Sequence, residues 1–365
     1  MFRYGFLLVF LLALAGAGFV AWHVWRITPG GWVFKLFVTA LYVFWMGLAF
    51  AGFFFTEKVS LKAARSLYIV GNTWWIVMLY LLMFFLAADL LSLCRILPRG
   101  MLDGNAALGG GVALILAVVL LGGRIHYAHK YRETLTIRTE KPLDRPLTIV
   151  LASDLHLGYH NSSREFARWV DKINAEKPDL ILIGGDIVDR SARPLLEEDY
   201  AGEFHRFTAP VISVLGNHEY YSDREASERF FREAEIVLLR DSLVRFRGVT
   251  VIGRDDRTNP HRQPLASLVP PADSSFTILL DHQPYHLEEA EAAGVDFQFS
   301  GHTHRGQVWP LSWVTDALYE KSWGHHRRGN TQYYVSSGLG LWGPRFRIGT
   351  RSEYLVLKLL PEDEH

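Results

Sequence analysis

The chain has 365 residues, with 38 lysines and arginines against 38 aspartates and glutamates, a formal net charge of +0. That balance excludes a general electrostatic attraction to nucleic acid, and no nucleic-acid partner is expected. The length allows two domains, and the composition divides accordingly: residues 1 to about 127 are mostly apolar, whereas the rest is an ordinary soluble mixture.

A helix crosses a bilayer with about 20 apolar residues. Gly5–Trp25, Trp32–Phe55 and Tyr68–Cys94 meet that length, and Ala106–Gly123 is a shorter, glycine-rich fourth segment. Trp22, Trp25, Trp32, Trp74, Trp75 and Tyr127 fall towards several of the ends, as interfacial aromatic belts do. A signal peptide is disfavoured for the first segment: Arg3 is its only early charge, no clear small-residue cleavage site is present, and three more apolar segments follow. Four spans put both termini on one side, together with Arg3, Lys58, Lys62, Arg65, Arg124, Lys130 and Arg132; Arg26, Arg95 and Arg99 fall on the other. The positive-inside rule then predicts a multi-pass protein of the cell (inner) membrane with its C-terminal half in the cytoplasm. Asn72 is expected to bond a neighbouring helix and Asp89 to sit near an interface, with no partner for Asp89 evident. Cys94, the only cysteine, lies in or beside a span and says nothing about redox compartment.

Residues 128–146 are polar and carry Lys130, Arg132, Lys141 and Arg145, which predicts a basic juxtamembrane linker with one edge strand at Thr134–Arg138. From Leu147 onward, short continuous apolar runs mark strands buried on both faces. They are Leu147–Ala152, Leu180–Gly184, Val211–Leu215, Val249–Gly253, Phe276–Leu280, Val295–Phe299, Tyr333–Ser336 and Tyr354–Leu359. Helical stretches at Ser163–Glu176, Asp223–Glu235 and Tyr285–Ala293 fall between them, so an α/β fold is expected over 147–365.

Polar clusters close five of these runs. Asp154-Leu155-His156, Gly185-Asp186-Ile187-Val188-Asp189, Gly216-Asn217-His218-Glu219, the lone His282 and Gly301-His302-Thr303-His304 each follow a predicted strand. That edge of an open α/β sheet is where ligands bind. The clusters hold carboxylates, imidazoles and one amide but no thiolate, a donor set for hard-to-borderline divalent ions rather than for a structural zinc. Residues two apart on a strand share a face, so Asp154 and His156 can grip one ion together. Asp186 has two carboxylate oxygens and follows Gly184-Gly185, so it can bridge two ions; Asn217 offers a carbonyl oxygen. Two ions about 3.5–4 Å apart can clamp the attacking and leaving oxygens of a displacement at phosphorus. Ser162, Ser336 and Ser337 have no base at nucleophile spacing, which argues against serine hydrolase chemistry.

The ordered set D-x-H, G-D-x-x-D, G-N-H-E and G-H-x-H resembles the calcineurin-like metallophosphoesterase family over about Leu147 to Leu360. The resemblance implies a β-sandwich of two mixed sheets flanked by helices, here preceded by an all-α transmembrane region of about four helices. It implies a first metal on Asp154, His156, Asp186 and His304, and a second on Asp186, Asn217, His282 and His302. Asp186 would bridge, and His218 would contact the phosphoryl oxygen and act as general acid. The metals, manganese, iron, zinc or magnesium, are not distinguished by this donor set. Gly253 to Asp256, Leu280 to Pro284, Ser300 to Pro310 and Ser336 to Gly340 look like the membrane-associated branch of the family, which includes one type of UDP-2,3-diacylglucosamine pyrophosphatase. The expected function is therefore metal-dependent hydrolysis of a phosphodiester or pyrophosphate bond in a membrane lipid or lipid-linked nucleotide. The alternative is a membrane sensor or transporter whose soluble domain only binds a phosphorylated ligand.

Other residues are weighed around this core. Asp256, Arg345 and Arg347 are candidate substrate contacts, the arginines because their forked guanidinium groups suit phosphate oxygens. Asp255 reads as a turn residue, while Asp189 and Arg190 either orient the ligands or begin a helix. Trp309, Trp313, Trp323 and Trp342 crowd the region after the ligands; contact with lipid is one reading, and packing is preferred for at least two of them. His325 and His326 read as a solvated turn.

Overall fold

The computed structural model describes residues 2–98, 100–270 and 275–362, without the side chains of residues 2–7, 9 and 53. Arg99 and the side chain of Arg3, both used in the charge argument for orientation, lie outside the described residues. The chain forms two compact units, one of residues 1–123 with 343–345 and one of residues 124–342 with 346–365.

The first unit is built on α1 (Phe2–Ile27), α2 (Trp32–Phe55), α3 (Leu61–Leu93) and α4 (Ala106–Ala128). All four are long and apolar enough to cross a membrane. Many of their large side chains are exposed, among them Leu12, Phe37, Phe44, Leu90 and Leu114, which suits a lipid solvent rather than water. Two expectations about polar residues change. Asp89 has a partner: its carboxylate lies 3.1 Å from Nε2 of His23, a fully buried α1 residue whose ring stacks on Phe85. The two are distant in sequence and meet only because α1 packs on α3. The Asn72 amide donates to the carbonyl of Tyr68 in its own helix (2.8 Å) rather than to a neighbouring helix.

The second unit is a sandwich of two six-stranded mixed sheets. One sheet combines β1 (Lys130–Thr139), β2 (Leu147–Ala152), β3 (Leu180–Ile183), β4 (Val211–Ser213), β5 (Val237–Leu238) and β12 (Ser352–Pro361) in the order β1-β12-β2-β3-β4-β5. The other combines β6 (Ser242–Phe246), β7 (Val249–Gly253), β8 (Phe276–Leu280), β9 (Phe297–Ser300), β10 (Gly324–Arg328) and β11 (Thr331–Val335) in the order β10-β11-β9-β8-β7-β6. Strands β2 to β5 run parallel, as do β7, β8, β9 and β11, while β12, β6 and β10 are antiparallel to a neighbour.

The period-2 alternation of a strand explains how one run serves two cores. Leu147, Ile149 and Leu151 face the second sheet together with Leu180, Leu182, Val251, Ile278, Phe297 and Phe299. Val150 and Ala152 face outward onto α5 (Ser163–Asn174), α6 (Arg193–Glu197), α7 (Tyr200–His205) and α9 (Arg224–Glu233) through Phe166, Trp169, Leu195, Phe204 and Phe230. The short α8 (Asn217–Tyr221) carries two candidate site residues, α10 (Leu287–Ala292) covers the second sheet, and α11 (Leu311–Leu318) follows the last candidate ligands. Phe299 is fully buried in the core between the sheets and stacks on Tyr334 (6.3 Å). Phe299→Ala is expected to cost roughly 3–5 kcal/mol, read as a lower melting temperature of the full chain in detergent; an unchanged melting temperature would contradict this packing.

The segment read as a linker is in large part β1, paired in parallel along its whole length with β12. Its alternating charged and half-buried residues make it an outer strand, which polar composition alone disguised.

Candidate metal centre

The candidate ligand residues sit where parallel strands end. Beyond β2 and β3 the two chains stay joined: Asp154 N donates to Gly185 O (3.0 Å), His156 N to Asp186 O (3.0 Å) and Leu157 N to Ile187 O (2.8 Å). This pairing brings the D-x-H and G-D-x-x-D clusters side by side. Asp154, His156, Asp186, His302 and His304 all have positive φ, between 44° and 70°, in the left-handed region. Non-glycine residues rarely adopt it, and its concentration here is strain held at one place by surrounding contacts. Gly185, at φ 90°, lets this happen: a Cβ there would lie 2.8 Å from Nδ1 of His282. Gly301 passes so close to Asp154 that a Cβ would collide with its carboxylate. Gly185→Ala should therefore lower metal content and melting temperature together, by metal analysis and thermal denaturation; unaltered metal content would argue against this tight approach.

The donor atoms converge in groups within 4.8 Å, one of Asp154 with His156 and His304 and one of Asp186 with His282 and His302, and a third joins His156 to Asp189 and His218. In the first, Nε2 of His304 is 3.3 Å from Asp154 Oδ1 and 3.0 Å from Nε2 of His156. In the second, Asn217 Oδ1 lies 2.7 Å from His302 Nδ1 and 3.2 Å from His282 Nε2. Asp186 stands between them, its Oδ2 3.1 Å from His282 Nε2 and 3.7 Å from His156 Nε2. Asp154, His156, Asp186, His282 and His304 are almost completely buried, and Nδ1 of His304 has no hydrogen-bond partner among the described residues. A buried cluster with facing imidazole nitrogens and an orphaned ring nitrogen is what a cation would satisfy, so these residues fit a divalent metal.

Outer contacts fix the rings. His282 Nδ1 donates to Gly184 O (2.7 Å), leaving Nε2 for the site, and His156 Nδ1 lies 3.3 Å from Asp189 Oδ1. His218, half-buried, donates Nδ1 to Asp189 O (2.9 Å), and its backbone N–H donates to Asp186 Oδ1 (2.9 Å). Burial pushes His156, His302 and His304 towards their neutral forms, His302 down to about 3. Burial would also keep His218 neutral, but the Asp186 and Asp189 carboxylates outweigh it and raise its pKa.

Asp154, His156, Asp186, Asn217, His218, His282, His302 and His304 are thus brought together. Two of the three candidate substrate contacts are spent on partners within the protein. Arg347 is fully buried, and its guanidinium donates to the carbonyls of His304 (2.8 Å), Ser337, Gly338 (3.2 Å) and Gly340 (3.1 Å) and to Ser352 Oγ (3.1 Å). It anchors the backbone of His304 and presents no fork to a substrate. Asp256 is buried too, accepting from Gln283 Nε2 (2.9 and 3.0 Å) and Thr258 N (2.8 Å). Arg345 belongs to the segment 343–345, which groups with the helical unit. Asp255 binds Tyr220 OH and Arg240, and Trp323 is half-buried and donates to Glu353. His325 and His326 lie on β10 rather than in a turn.

Glu219 acquires a role that sequence reasoning did not assign. It is fully buried and accepts from the backbone N–H groups of Gly216 (2.7 Å), Val188 (2.9 Å) and Asp186 (3.3 Å), tying two ligand loops together. Burial and the Asp186 charge raise its pKa to about 7. Its position in G-N-H-E was the available signal.

Residues 147–306 match the family described as calcineurin-like phosphoesterase. A protein of Helicobacter pylori described as an uncharacterized metallophosphoesterase is 34% identical over 230 residues, which is 61% of this chain and 62% of that protein. An Aquifex aeolicus protein of the same description is 31% identical over 258 residues, covering 66% of this chain and 97% of the relative. A Bos taurus "transmembrane protein with metallophosphoesterase domain" is 30% identical over 243 residues, 60% of this chain and 55% of that one. With its two mixed sheets and converging donor clusters, this chain belongs to the calcineurin-like phosphoesterase family.

Proposed function

We propose that the protein is a membrane-bound, metal-dependent hydrolase of a phosphodiester or pyrophosphate bond. The observation that carries the reading is the convergence of four carboxylate and imidazole loops with Asn217, with Asp186 between the two donor groups. Asp154, His156, Asp186 and His304 would hold one ion, and Asp186, Asn217, His282 and His302 a second. Divalent ions at such a site supply positive charge for the phosphoryl oxygens and ease the deprotonation of water. The chain does the rest. His218, held through Nδ1 by the Asp189 carbonyl and with its pKa raised by nearby carboxylates against the effect of burial, offers Nε2–H to the leaving oxygen as general acid. Asp189 orients both His156 and His218, and Arg347 holds the His304 loop.

A lipid or lipid-linked nucleotide of the UDP-2,3-diacylglucosamine type is the proposed substrate class, because the same chain carries four helices able to cross a membrane. The catalytic unit is proposed to face the cytoplasm, which reporter fusions at the C-terminus would test. Turnover of an aryl phosphodiester and of UDP-2,3-diacylglucosamine by the full chain in detergent should vanish on chelation and return with manganese; turnover that ignores chelation would overturn the metal requirement. Burial favours neutral His282, but the Asp186 carboxylate beside it raises its pKa well above the usual value, so a cation must displace a proton. The manganese concentration that restores half the activity should therefore fall several-fold from about pH 6 to about pH 8. A titration with the opposite trend would contradict His282 as a ligand.

A further inference from the structure

In the catalytic unit the exposed large apolar side chains are not scattered. Trp309, Leu311, Trp313, Val314, Leu318 and Trp342 are each between 40% and 66% exposed. Beyond α4, the only others of that kind among the described residues of this unit are Tyr221, Val237 and Leu243. Five of the six fall within residues 309–318, on α11 and the turn before it. Leu311, Val314 and Leu318 recur at helical spacing along α11, and Trp309 packs edge-on against Trp313 (5.4 Å). Gln307 Nε2 donates to Trp342 O (3.2 Å), joining the second aromatic loop to the first. A clustered apolar face of this kind marks an interaction surface.

Two neighbours within the unit say what covers it. Tyr127, fully buried in the last turn of α4, donates to Asn161 Oδ1 (2.5 Å), and Asn161 Nδ2 donates to Leu341 O (3.3 Å), the residue before Trp342. The catalytic unit itself follows α4, a helix able to cross a membrane, with almost no tether, since α4 ends at Ala128 and β1 starts at Lys130, so a bilayer lies within its reach. Tryptophan with leucine and valine on a short helix is also the composition of interfacial binding rather than of a protein core. The second neighbour is the metal centre. The segment from His304 leads directly into α11, and Tyr319 at its far end has its ring 6.2 Å from that of His302.

We propose that this face seats in the interfacial layer of the bilayer, so that the phosphate of an embedded lipid reaches the ligand cluster without the lipid leaving the membrane. The seating stands on the face itself; the delivery of substrate rests on the hydrolase reading above. The test uses the full chain with Cys94→Ser, reconstituted in phosphatidylcholine–phosphatidylglycerol vesicles. An environment-sensitive fluorophore is attached at Trp313→Cys or at Ala175→Cys, an exposed position at the opposite edge of the sheets. Acyl chains brominated near the headgroup should quench the Trp313→Cys probe at least about twofold and leave the other unchanged. Equal quenching at both positions, or none at Trp313→Cys, overturns the proposal. A probe that stays blue-shifted without lipid quenching would show that a second copy of the chain covers the face, which also overturns it. In a second arm, the Trp313→Ser/Leu318→Ser variant should cleave a water-soluble aryl phosphodiester at an unchanged rate and a vesicle-embedded lipid phosphodiester about tenfold more slowly. An equal loss on both esters would contradict delivery from the bilayer. If the unaltered protein cleaves neither ester, the hydrolase reading fails, while the quenching result still decides the seating.

Discussion

Asp186→Asn is expected to lower phosphodiester turnover by roughly 10³-fold or more, with loss of bound metal. The carboxylate has no substitute: Oδ2 faces both His282 and His156, and Oδ1 receives the His218 backbone N–H. Asparagine keeps the size but removes the negative charge that offsets cations, and it leaves the buried His282 without its counter-charge. The carboxylate's own pKa shows the coupling: burial pushes it up, yet the His282 and His218 charges hold it well below the usual range. Turnover and metal content measured on one preparation check this, and a variant that keeps both would remove Asp186 from the centre.

His218→Gln should separate the protein's acid from its metals. The side chain is not one of the proposed ligands: its Nδ1 is spent on the Asp189 carbonyl and its ring packs edge-on against His156 (4.5 Å). Metal content should be retained while turnover falls by roughly 10²–10⁴-fold. The loss should be largest for alkyl esters and smaller for nitrophenyl esters, whose leaving group needs little protonation. An equal loss on both would assign His218 to structure rather than to proton donation. At high pH the unaltered enzyme should approach the variant's rate on alkyl esters, since deprotonating His218 removes the donor; its raised pKa extends the active range upward.

The eight residues that the fold brings together were legible as a group because each follows an apolar run that becomes a strand, and the ends of such runs are readable from sequence. Fully buried strands such as β2, β7 and β8 fall where their continuous apolar runs end. Outer strands were legible only in part: Thr134–Arg138 of the charged, alternating β1 was expected as an edge strand, whereas β10, Gly-His-His-Arg-Arg, and the mostly exposed β6 were not. Only β1 takes its partner, β12, from far along the chain, whereas β6 and β10 pair with the strands that follow them and show no apolar run to reveal it. Arg347 and Asp256 failed for a related reason. A guanidinium near glycines looks the same in sequence whether it meets a phosphate or backbone carbonyls, and only burial decides. His23 and Asp89 are a pair that helix packing alone creates.

The claim that this site is a dinuclear hydrolytic centre is tested most directly by metal analysis of the purified full chain, in parallel with its phosphodiesterase activity, as manganese is titrated back after chelation. The account predicts that activity rises with occupancy and saturates at two ions per chain, and that Asp186→Asn reaches neither value. Full activity at no bound metal, or saturation with Asp186→Asn unchanged, would contradict it.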